Sequence, residues 1–502
     1  MTTKEDAVAN FEAALERTGN GLYNILLVAT CGLILLGIGV DLFGFSLVVA
    51  AACDLELSVT QKGILTSLPF IGILLVSYPW GYVADTRGRR FALIISVQVA
   101  FVLSCLASLA TNWILLGVIK FISVCFSCAA NSATYTLVGE SCIARVRSKY
   151  MLIITCLIIL SPAVAAVLTY PTLLLSFKLD IPLLGITFTP WRLLNIVLAI
   201  PVGIGGVAIC FFNESPKFLA NCGRKEEAVQ VLKSIYAINH GKNKHDLHLS
   251  SLVIEGPVSK KSLSLLRAMQ EQSAPLFRPP LLWRTLQLFF IVSVVYITNN
   301  SFLVWLPHVL NVVRLSLEKS SDFSGLCDLI SNERSSNETV LSDNSTSTTP
   351  CLGYVEENII ITLVISQSIF SFLNFVISYL MAWRRTVLLC ILSLSTISGI
   401  LINFMPEPIS SVMFFMIFTC TNLGMGILAA YFVDLYPTSC RGMATCLSVM
   451  VGRTSTFIGI NLVGNLIFSH CRLTFYLWSL LVLCSVFAAW FLPRDKAKQV
   501  PK

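Results

Sequence analysis

The chain has 502 residues, of which 55% are hydrophobic and only 12% are charged, and its mean hydropathy is +0.79. An average soluble protein has about 25% charged residues, roughly twice this fraction. The composition excludes a soluble enzyme, a disordered chain and a small disulfide scaffold, and it predicts an integral membrane protein. The net charge is +8, but Lys and Arg form short clusters between apolar runs, which argues against nucleic-acid binding.

Twelve apolar runs are long enough to cross a bilayer as α-helices, because one crossing needs about 20 mostly apolar residues. The runs are too long to be strands of a membrane β-barrel. They predict an all-α membrane protein whose twelve transmembrane helices form two halves of six. The predicted spans 1 to 12 are residues 23–48, 64–84, 91–111, 113–139, 150–175, 193–212, 285–308, 358–383, 386–404, 409–433, 442–468 and 473–492.

Clusters of Lys and Arg occupy alternate connections between the predicted spans. Arg87, Arg89 and Arg90 follow span 2, and Arg145 and Arg147 follow span 4. Because cytoplasmic loops carry an excess of Lys and Arg, we expect these connections and both termini to be cytosolic. The predicted regions are a cytosolic N-terminus at 1–22, an N-terminal half at 23–212, a cytosolic central loop at 213–284, a C-terminal half at 285–492 and a cytosolic tail at 493–502.

One long loop, residues 309–357, is expected on the outer side. It contains two glycosylation sequons, at Asn337 and Asn344, which are acceptors only in an exported segment. Cys327 and Cys351 bracket the sequons in the oxidising compartment, so a disulfide between them is predicted, with Cys53 as an alternative partner. The remaining cysteines are interpreted as small packing residues.

Polar motifs between the spans carry a family resemblance. The stretch Gly81-Tyr-Val-Ala-Asp85-Thr-Arg87-Gly88-Arg89-Arg90 resembles the signature of the major facilitator superfamily. The stretch 213–219, Asn-Glu-Ser-Pro-Lys-Phe-Leu, resembles the motif after helix 6 of sugar and organic-ion carriers. Within that group, the long outer loop and the dipeptides at 191–192 and 452–453 are similar to the branch of synaptic vesicle glycoprotein 2 and its related proteins. The resemblance implies a carrier fold and transport of an organic solute.

The resemblance also implies a cytosolic gate. It places Asp85 at the start of span 11, paired with Arg145 or Arg147, while Glu140 holds Arg89 or Arg90. An acid stands seven residues before an arginine in each half, Glu140 before Arg147 and Asp434 before Arg441, as expected for a six-helix repeat. The candidate gating residues are Gly81, Asp85, Arg87, Gly88, Arg89, Arg90, Glu140, Arg145, Arg147, Asp434 and Arg441.

Three formal charges lie well inside the predicted spans, and ionisable residues at that depth are functional candidates by default. At ~1.5 Å per residue, Asp41 in span 1 and Lys120 in span 4 lie at the same depth of ~10 Å below the outer boundary. We therefore predict that they form a pair across the cavity. Arg453, ~16 Å deep in span 11, is predicted to attract an anionic or zwitterionic substrate group. Alternatively, Lys120 extends outward and Asp41 packs against neighbouring helices.

Polar and aromatic residues of the inner spans are further substrate candidates. Tyr296, Asn299 and Asn300 in span 7 share one helix face, and Trp305 follows on the same span. Each can instead be an interhelical hydrogen-bond partner. Asn131, Tyr135, Gln367, Asn374, Asn422 and Tyr431 belong to the same wider set.

The sequence therefore predicts a secondary carrier for a small organic ion or metabolite that works by alternating access. A membrane glycoprotein that mainly binds partners is the alternative, because Lys120 and its neighbours depart from the span 4 motif of proton-coupled relatives. No catalytic constellation, metal-ligand spacing or nucleotide-binding loop is found, so neither enzymatic activity nor a cofactor is expected. The expected partners are the lipid bilayer and a small organic solute, without nucleic acid. We expect a monomer in the plasma membrane or a vesicle membrane.

Overall fold

The computed structural model describes residues 8–182, 185–243, 246–247, 249, 251–253, 273–318, 325–330, 357–379, 383–436 and 438–493. Among them, twelve helical segments are long and apolar enough to cross a membrane, and each coincides with one predicted span. In chain order these helices are α1 Leu22–Ala51, α2 Val59–Arg87, α3 Arg89–Ala107, α4 Trp113–Ser141, α5 Ala144–Leu173, α6 Pro190–Ala208, α7 Leu281–Glu318, α8 Glu357–Tyr379, α9 Arg384–Leu401, α10 in two parts, Pro408–Phe418 and Met425–Leu435, α11 Thr438–Ser469 and α12 Cys471–Trp490.

Local sequence explains where several of these helices begin. Ser58 and Gln61 form a reciprocal capping box at the start of α2, and the Asn112 side chain accepts a hydrogen bond from the Leu115 amide at the start of α4. Such caps satisfy amide groups that the first helical turn leaves without partners. These polar residues therefore determine the position at which each helix begins.

Two helices differ from the predicted spans by more than a shift of a few residues at their ends. Helix α7 continues to Glu318, so the first part of the predicted outer loop is helical. Helix α10 is interrupted by a 3-10 segment, Thr419–Gly424, which the apolar run did not indicate. At the interruption, the Ser395 hydroxyl of α9 donates to the Phe418 carbonyl at 2.7 Å. A hydroxyl from a neighbouring helix can satisfy a backbone group that a broken helix frees inside the membrane.

The two halves, α1–α6 and α7–α12, meet mainly through three helix pairs: α2 with α11, α5 with α8, and α1 with α7. We call the end that carries Arg87, Arg89 and Arg147 the arginine-rich end. The opposite end carries the disulfide of Cys327 and is called the disulfide end. Because α1 starts at the arginine-rich end and successive membrane helices alternate in direction, every odd-numbered helix runs from it towards the disulfide end.

The disulfide differs from the predicted one. Cys327 is bonded to Cys471, with 5.3 Å between their Cα atoms, and not to Cys351. Cys471 is the first residue of α12 and lies beside the turn from α11, a short connection that the sequence argument overlooked. Cys53 is also disulfide-bonded. Cys351 and the sequon residues Asn337 and Asn344 lie outside the described residues.

A small subdomain covers the arginine-rich end of the N-terminal half. Strand β1 (Val8–Asn10) pairs in parallel with β4 (Ser251–Val253) of the central loop. The helix Phe11–Arg17 packs against two loop helices, Pro216–Asn221 and Lys225–His240. At the disulfide end, β2 (Leu179–Ile181) and β3 (Ile186–Phe188) form an antiparallel hairpin between α5 and α6.

Candidate functional site

Charged residues at the arginine-rich end form a network within the N-terminal half. The Arg89 guanidinium contacts Asp85 at 3.0 Å and Glu140 at 3.1 Å, and it also lies over the Phe218 ring. The Ser215 hydroxyl donates to Glu140 at 2.5 Å and caps the loop helix that starts at Pro216. Glu140 therefore joins α4 to the α2–α3 turn and to the central loop. The predicted contact between Glu140 and Arg89 is present.

Glu214 caps the start of α3. Its carboxylate accepts hydrogen bonds from the amides of Arg90 at 3.0 Å and Phe91 at 3.3 Å. A carboxylate is favoured there by the exposed amides and the helix dipole. Gly88 precedes the helix with φ +113, and a Cβ atom at this position would overlap the Glu214 carboxylate. This explains why the turn requires glycine at position 88.

Among the described residues, the contact that the family resemblance implies between Asp85 and Arg145 or Arg147 is not formed. The Asp85 side chain is 72% exposed, and its ion pair is with Arg89 on its own half. Arg147 contacts Glu12 of the N-terminal helix at 3.2 Å instead of Asp85. Arg87 and Arg145 are exposed, and Gly81 has open space beside it. Asp434 and Arg441 lie on α10 and α11, and their side chains are outside the description.

Asp41 and Lys120 form a buried ion pair, as their matching depths predicted. The Lys120 ammonium lies 2.5 Å from Asp41 Oδ1, and the two residues are 1% and 6% exposed, respectively. The Ser104 hydroxyl donates to both Asp41 oxygens at 3.1 Å, and the ammonium also lies over the Phe45 ring. These contacts supply the hydrogen bonds that a desolvated ion pair requires.

The position of this pair differs from the prediction. Its hydrogen-bond and ring partners among the described residues come from α1 and α3, inside the N-terminal half. Asn195 of α6 holds the Ser104 carbonyl at 2.7 Å and completes the surrounding shell. The pair therefore does not meet across a cavity between the halves. Residue counting gives the height of both charges in the membrane but not the direction in which α1 and α4 turn them.

Arg453 lies between the two halves. Its guanidinium carbon is 5.5 Å from the centre of the Phe70 ring on α2 and 5.5 Å from the Tyr296 ring on α7. Its Nε atom is buried, and no carboxylate among the described residues pairs with it. Aromatic faces attract a cation but do not neutralise it. Arg453 is thus a positive charge shared by both halves and available to an anion.

The polar face of α7 packs on α11 around Arg453. Asn300 donates to the Thr456 hydroxyl at 3.0 Å, and Asn299 donates to Asn300 at 3.0 Å. A Cβ atom at Gly452 would lie 2.5 Å from Tyr296 Cδ2, so the glycine makes room for the ring. Asn300 is therefore an interhelical hydrogen-bond partner that Asn299 supports from the same helix, whereas Tyr296 stands beside the Arg453 guanidinium.

The other candidates are dispersed. Trp305 donates to the Ile460 carbonyl at 2.9 Å near the disulfide end. Tyr431 is fully buried beneath Arg384 at the arginine-rich end, which excludes contact with a substrate in this conformation. Tyr135 bonds the Thr155 hydroxyl, and Asn374 bonds Cys156. Gln367 is buried, whereas Asn131 and Asn422 are half-buried.

Comparison with known proteins identifies the family. The family model of the Major Facilitator Superfamily matches residues 29–331, more than half of the chain. The chain belongs to the major facilitator superfamily. Its twelve helices in two halves are the fold of a multi-pass membrane transporter.

Within the superfamily, the curated relatives include synaptic vesicle glycoproteins. Mouse synaptic vesicle glycoprotein 2C is 25% identical over 240 residues, covering 47% of this chain and 33% of the relative. Human synaptic vesicle glycoprotein 2A is 25% identical over 240 residues, covering 47% of this chain and 32% of the relative. The match therefore spans about a third of the length of these relatives.

Solved structures of the xylose transporter XylE from E. coli share the fold. A partially occluded inward-open form has a TM-score of 0.63 at 15% identity, covering 94% of this chain and 100% of that one. An inward-open form has a TM-score of 0.63 at 16% identity, covering 94% of this chain and 97% of that one. At this identity the likeness shows the fold alone.

Several residues that shape the sites of this superfamily member were not singled out from the sequence. Ser104 completes the Asp41–Lys120 pair, Phe70 covers Arg453, and Glu12 binds Arg147. Glu214 was recognised only as part of a motif. A serine or phenylalanine inside an apolar helix has no distinctive sequence signal. Glu12 does have one, because it is an acidic residue on a short amphipathic helix that precedes the first span.

Proposed function

We propose that the protein is a secondary transporter of a small organic anion or zwitterion and that it works by alternating access. The observation that carries the proposal is Arg453, a cation held between the halves by two rings and without a carboxylate partner among the described residues. A charge inside a membrane protein is costly unless it is paired. A carboxylate, sulfonate or phosphate of the substrate would supply the missing partner.

Contacts between the halves support the alternating-access part of the proposal. Near the disulfide end, Asn461 of α11 donates to Ser67 of α2 at 2.9 Å, and Tyr170 of α5 donates to Glu357 of α8 at 3.1 Å. At the other end, Asp85 is paired with Arg89 of the N-terminal half, and Arg147 is paired with Glu12 of the N-terminal segment. We interpret this arrangement as closed at the disulfide end and open at the arginine-rich end. Positive loops favour the cytosol for the latter.

We assign Asp41 and Lys120 to coupling between conformation and transport instead of substrate contact. Their burial inside the N-terminal half keeps a substrate away from both charges. Tyr296 is the candidate for direct substrate contact, because its ring centre lies 5.5 Å from the Arg453 guanidinium carbon. Asn300 and Trp305 would act by holding α7 against α11, and Asn299 by orienting the Asn300 side chain.

We infer that both termini are cytosolic, that Asn337 and Asn344 are glycosylated, and that the protein is a monomer in the plasma membrane or a vesicle membrane. The similarity to synaptic vesicle glycoproteins supports a vesicle location.

The first prediction tests Arg453 by uptake into proteoliposomes. A labelled panel of carboxylates, sulfonates, zwitterions and neutral sugars is offered to the purified protein. We expect uptake of an anionic or zwitterionic member that falls at least about tenfold in Arg453→Met, since a charge-assisted hydrogen bond contributes about 1.5–3 kcal/mol. Arg453→Lys should retain part of the uptake.

The matched control is Arg278→Met, which removes an exposed arginine. Its uptake should equal that of the wild type. Uptake of neutral solutes alone, or equal uptake by Arg453→Met and wild type, would contradict the proposed substrate class. Absence of uptake for the whole panel would favour the alternative of a partner-binding glycoprotein.

A further inference from the structure

The N-terminal segment of the chain lies in a groove of the central loop. We call residues 8–21 the clasp. Its helix buries Phe11, Ala14 and Leu15 against apolar residues of the two loop helices and β4. These loop residues are Phe218, Leu219, Ala220, Ala228, Val229, Leu232, Leu247, Leu249 and Leu252. Strand β1 adds to β4 in the register Val8 to Ser251 and Asn10 to Val253.

Polar anchors hold the clasp at its C-terminal end. Asn239 donates to the carbonyls of Thr18 and Gly19 at 3.2 Å, and its side-chain oxygen accepts from the Tyr23 amide. Gly21 fits closely, because a Cβ atom there would lie 2.8 Å from Asn239 Cα. The Tyr150 hydroxyl donates to Asn20 at 2.8 Å. The clasp thus contacts the central loop, α5 and the start of α1.

One anchor reaches a residue of the expected gate. Glu12 holds Arg147, near the start of α5, at 3.2 Å, and Arg147 also donates to the Cys142 carbonyl. The Arg147 side chain is 32% exposed, so its charge remains close to solvent. With the clasp in place, this guanidinium is directed towards the N-terminal half and away from the C-terminal half.

We propose that this groove is a peptide-binding site, that the clasp is its occupant within the same chain, and that occupancy favours the conformation open at the arginine-rich end. The recognised peptide is a short strand followed by an amphipathic helix, with two apolar anchors four residues apart and an acid after the first. Strand addition and helix-in-groove binding are both established modes of peptide recognition. The regulatory part rests on the proposed alternating-access function.

Peptide binding tests the groove without requiring any substrate. A fluorescent peptide of residues 8–21 is titrated onto the full-length wild type and onto full-length Leu15→Glu, whose own clasp carries a charge at a buried position. We expect the peptide to bind Leu15→Glu at least about tenfold more tightly than the wild type, in which the groove is occupied. A peptide carrying the same Leu15→Glu change is the control and should bind neither protein. Absence of binding to both proteins, or equal binding to both, would overturn the proposed site.

A second measurement tests the regulatory effect in a variant that keeps every apolar anchor. Fluorophores on unnatural amino acids at two exposed positions report the separation of the arginine-rich ends: Lys225 lies on the loop helix that covers the N-terminal half, and Trp383 lies at the start of α9 in the C-terminal half. Glu12→Gln releases Arg147 and should shift the population towards shorter separations. Glu16→Gln makes the same charge change at an exposed position of the same helix and should leave the distribution unchanged.

The outcomes of this second test are separate from those of the uptake assay. Identical distributions for Glu12→Gln and Glu16→Gln would overturn the regulatory role, even if the peptide binds. A shift in Glu12→Gln supports that role even if Arg453 proves unrelated to the substrate, because the distance measurement uses no solute.

Discussion

At the residue scale, the ion pair of Asp41 and Lys120 is the most demanding feature of the N-terminal half. Two charges with almost no exposed surface are stable only while each retains the other and their hydrogen bonds. Ser104 supplies bonds to both carboxylate oxygens, and its own carbonyl is held by Asn195. The pair therefore joins α1, α3 and α4 and depends indirectly on α6.

Removing one charge of the Asp41–Lys120 pair should destabilise the protein more than removing both. We expect Lys120→Met to lower the free energy of unfolding by about 3–5 kcal/mol, because it leaves the Asp41 carboxylate buried without a cation. The double variant Asp41→Asn with Lys120→Met should lose considerably less. Thermal unfolding in detergent, compared with Lys225→Met at an exposed position, measures the difference. Equal losses in the single and double variants would show that the two charges are not coupled.

At the element scale, the close packing of α7 and α11 depends on glycine. Gly452 faces the Tyr296 ring, and seven residues later Gly459 faces Ile297 and Ser301. Seven residues are nearly two helical turns, so both glycines lie on the same face of α11. Small residues allow membrane helices to approach closely and to gain packing contacts that lipid cannot provide. This approach also brings Tyr296 to Arg453.

Adding one methyl group should separate these helices. In an unconstrained helix, Gly→Ala stabilises by up to about 1 kcal/mol. At Gly452 the new Cβ would overlap Tyr296, so we expect Gly452→Ala to destabilise by about 1–3 kcal/mol. Gly426→Ala on α10 is the matched control, since the new Cβ there would lie 3.9 Å from Asn374 Oδ1, an ordinary van der Waals distance. If both variants melt at the same temperature, the α7–α11 packing does not depend on the glycine.

The elements also show how far the sequence is informative. All twelve helices follow from the length of apolar runs, because a bilayer requires each crossing to be apolar and to satisfy its own backbone. The interruption at Thr419–Gly424 depends instead on Ser395 from α9, a neighbour that no local pattern indicates. The disulfide was missed for a similar reason, since Cys327 and Cys471 are 144 residues apart in the chain.

The candidate sites were predicted in part for the same physical reason. Depth in the membrane follows from residue counting, so Asp41 and Lys120 were placed at one height and Arg453 near the midplane. The rotation of each helix about its axis does not follow from counting. Consequently the sequence indicated neither that the pair lies inside one half nor that Phe70 covers Arg453. Rotation is fixed by packing between helices that are distant in sequence.

At the scale of the whole molecule, the two halves are joined unequally at their ends among the residues that the structure describes. Asn461 and Ser67 connect α11 to α2 towards the disulfide end, and Trp305 of α7 lies near Gly63 and against Gly464. The ion pairs described at the arginine-rich end of the N-terminal half join Arg89 to Asp85 and Glu140, and Arg147 to Glu12 of the clasp. Rocking of one half against the other would therefore have to break the contacts at the disulfide end and form new ones at the arginine-rich end.

Crosslinking Ser67 to Asn461 tests this movement. Cysteines at the two positions, where the Asn461 amide nitrogen and the Ser67 hydroxyl are 2.9 Å apart in the native protein, should form a disulfide on oxidation with copper phenanthroline and join α2 to α11. The link is detected by mass spectrometry as two peptides, one containing position 67 and the other position 461, that separate on reduction. Each single cysteine variant is the control for reaction with native cysteines.

The crosslinked protein should fail to transport, because the disulfide end can no longer open, whereas each single variant treated with the same reagent should retain uptake. The binding of an anion at Arg453 should remain measurable in the crosslinked protein, since access from the arginine-rich end is not blocked. Anion binding without transport would show that the Arg453 site is intact and that opening of the disulfide end is required for transport. Uptake at the wild-type rate in fully crosslinked protein would show instead that the contact between α2 and α11 persists through the cycle, and that the halves do not separate there.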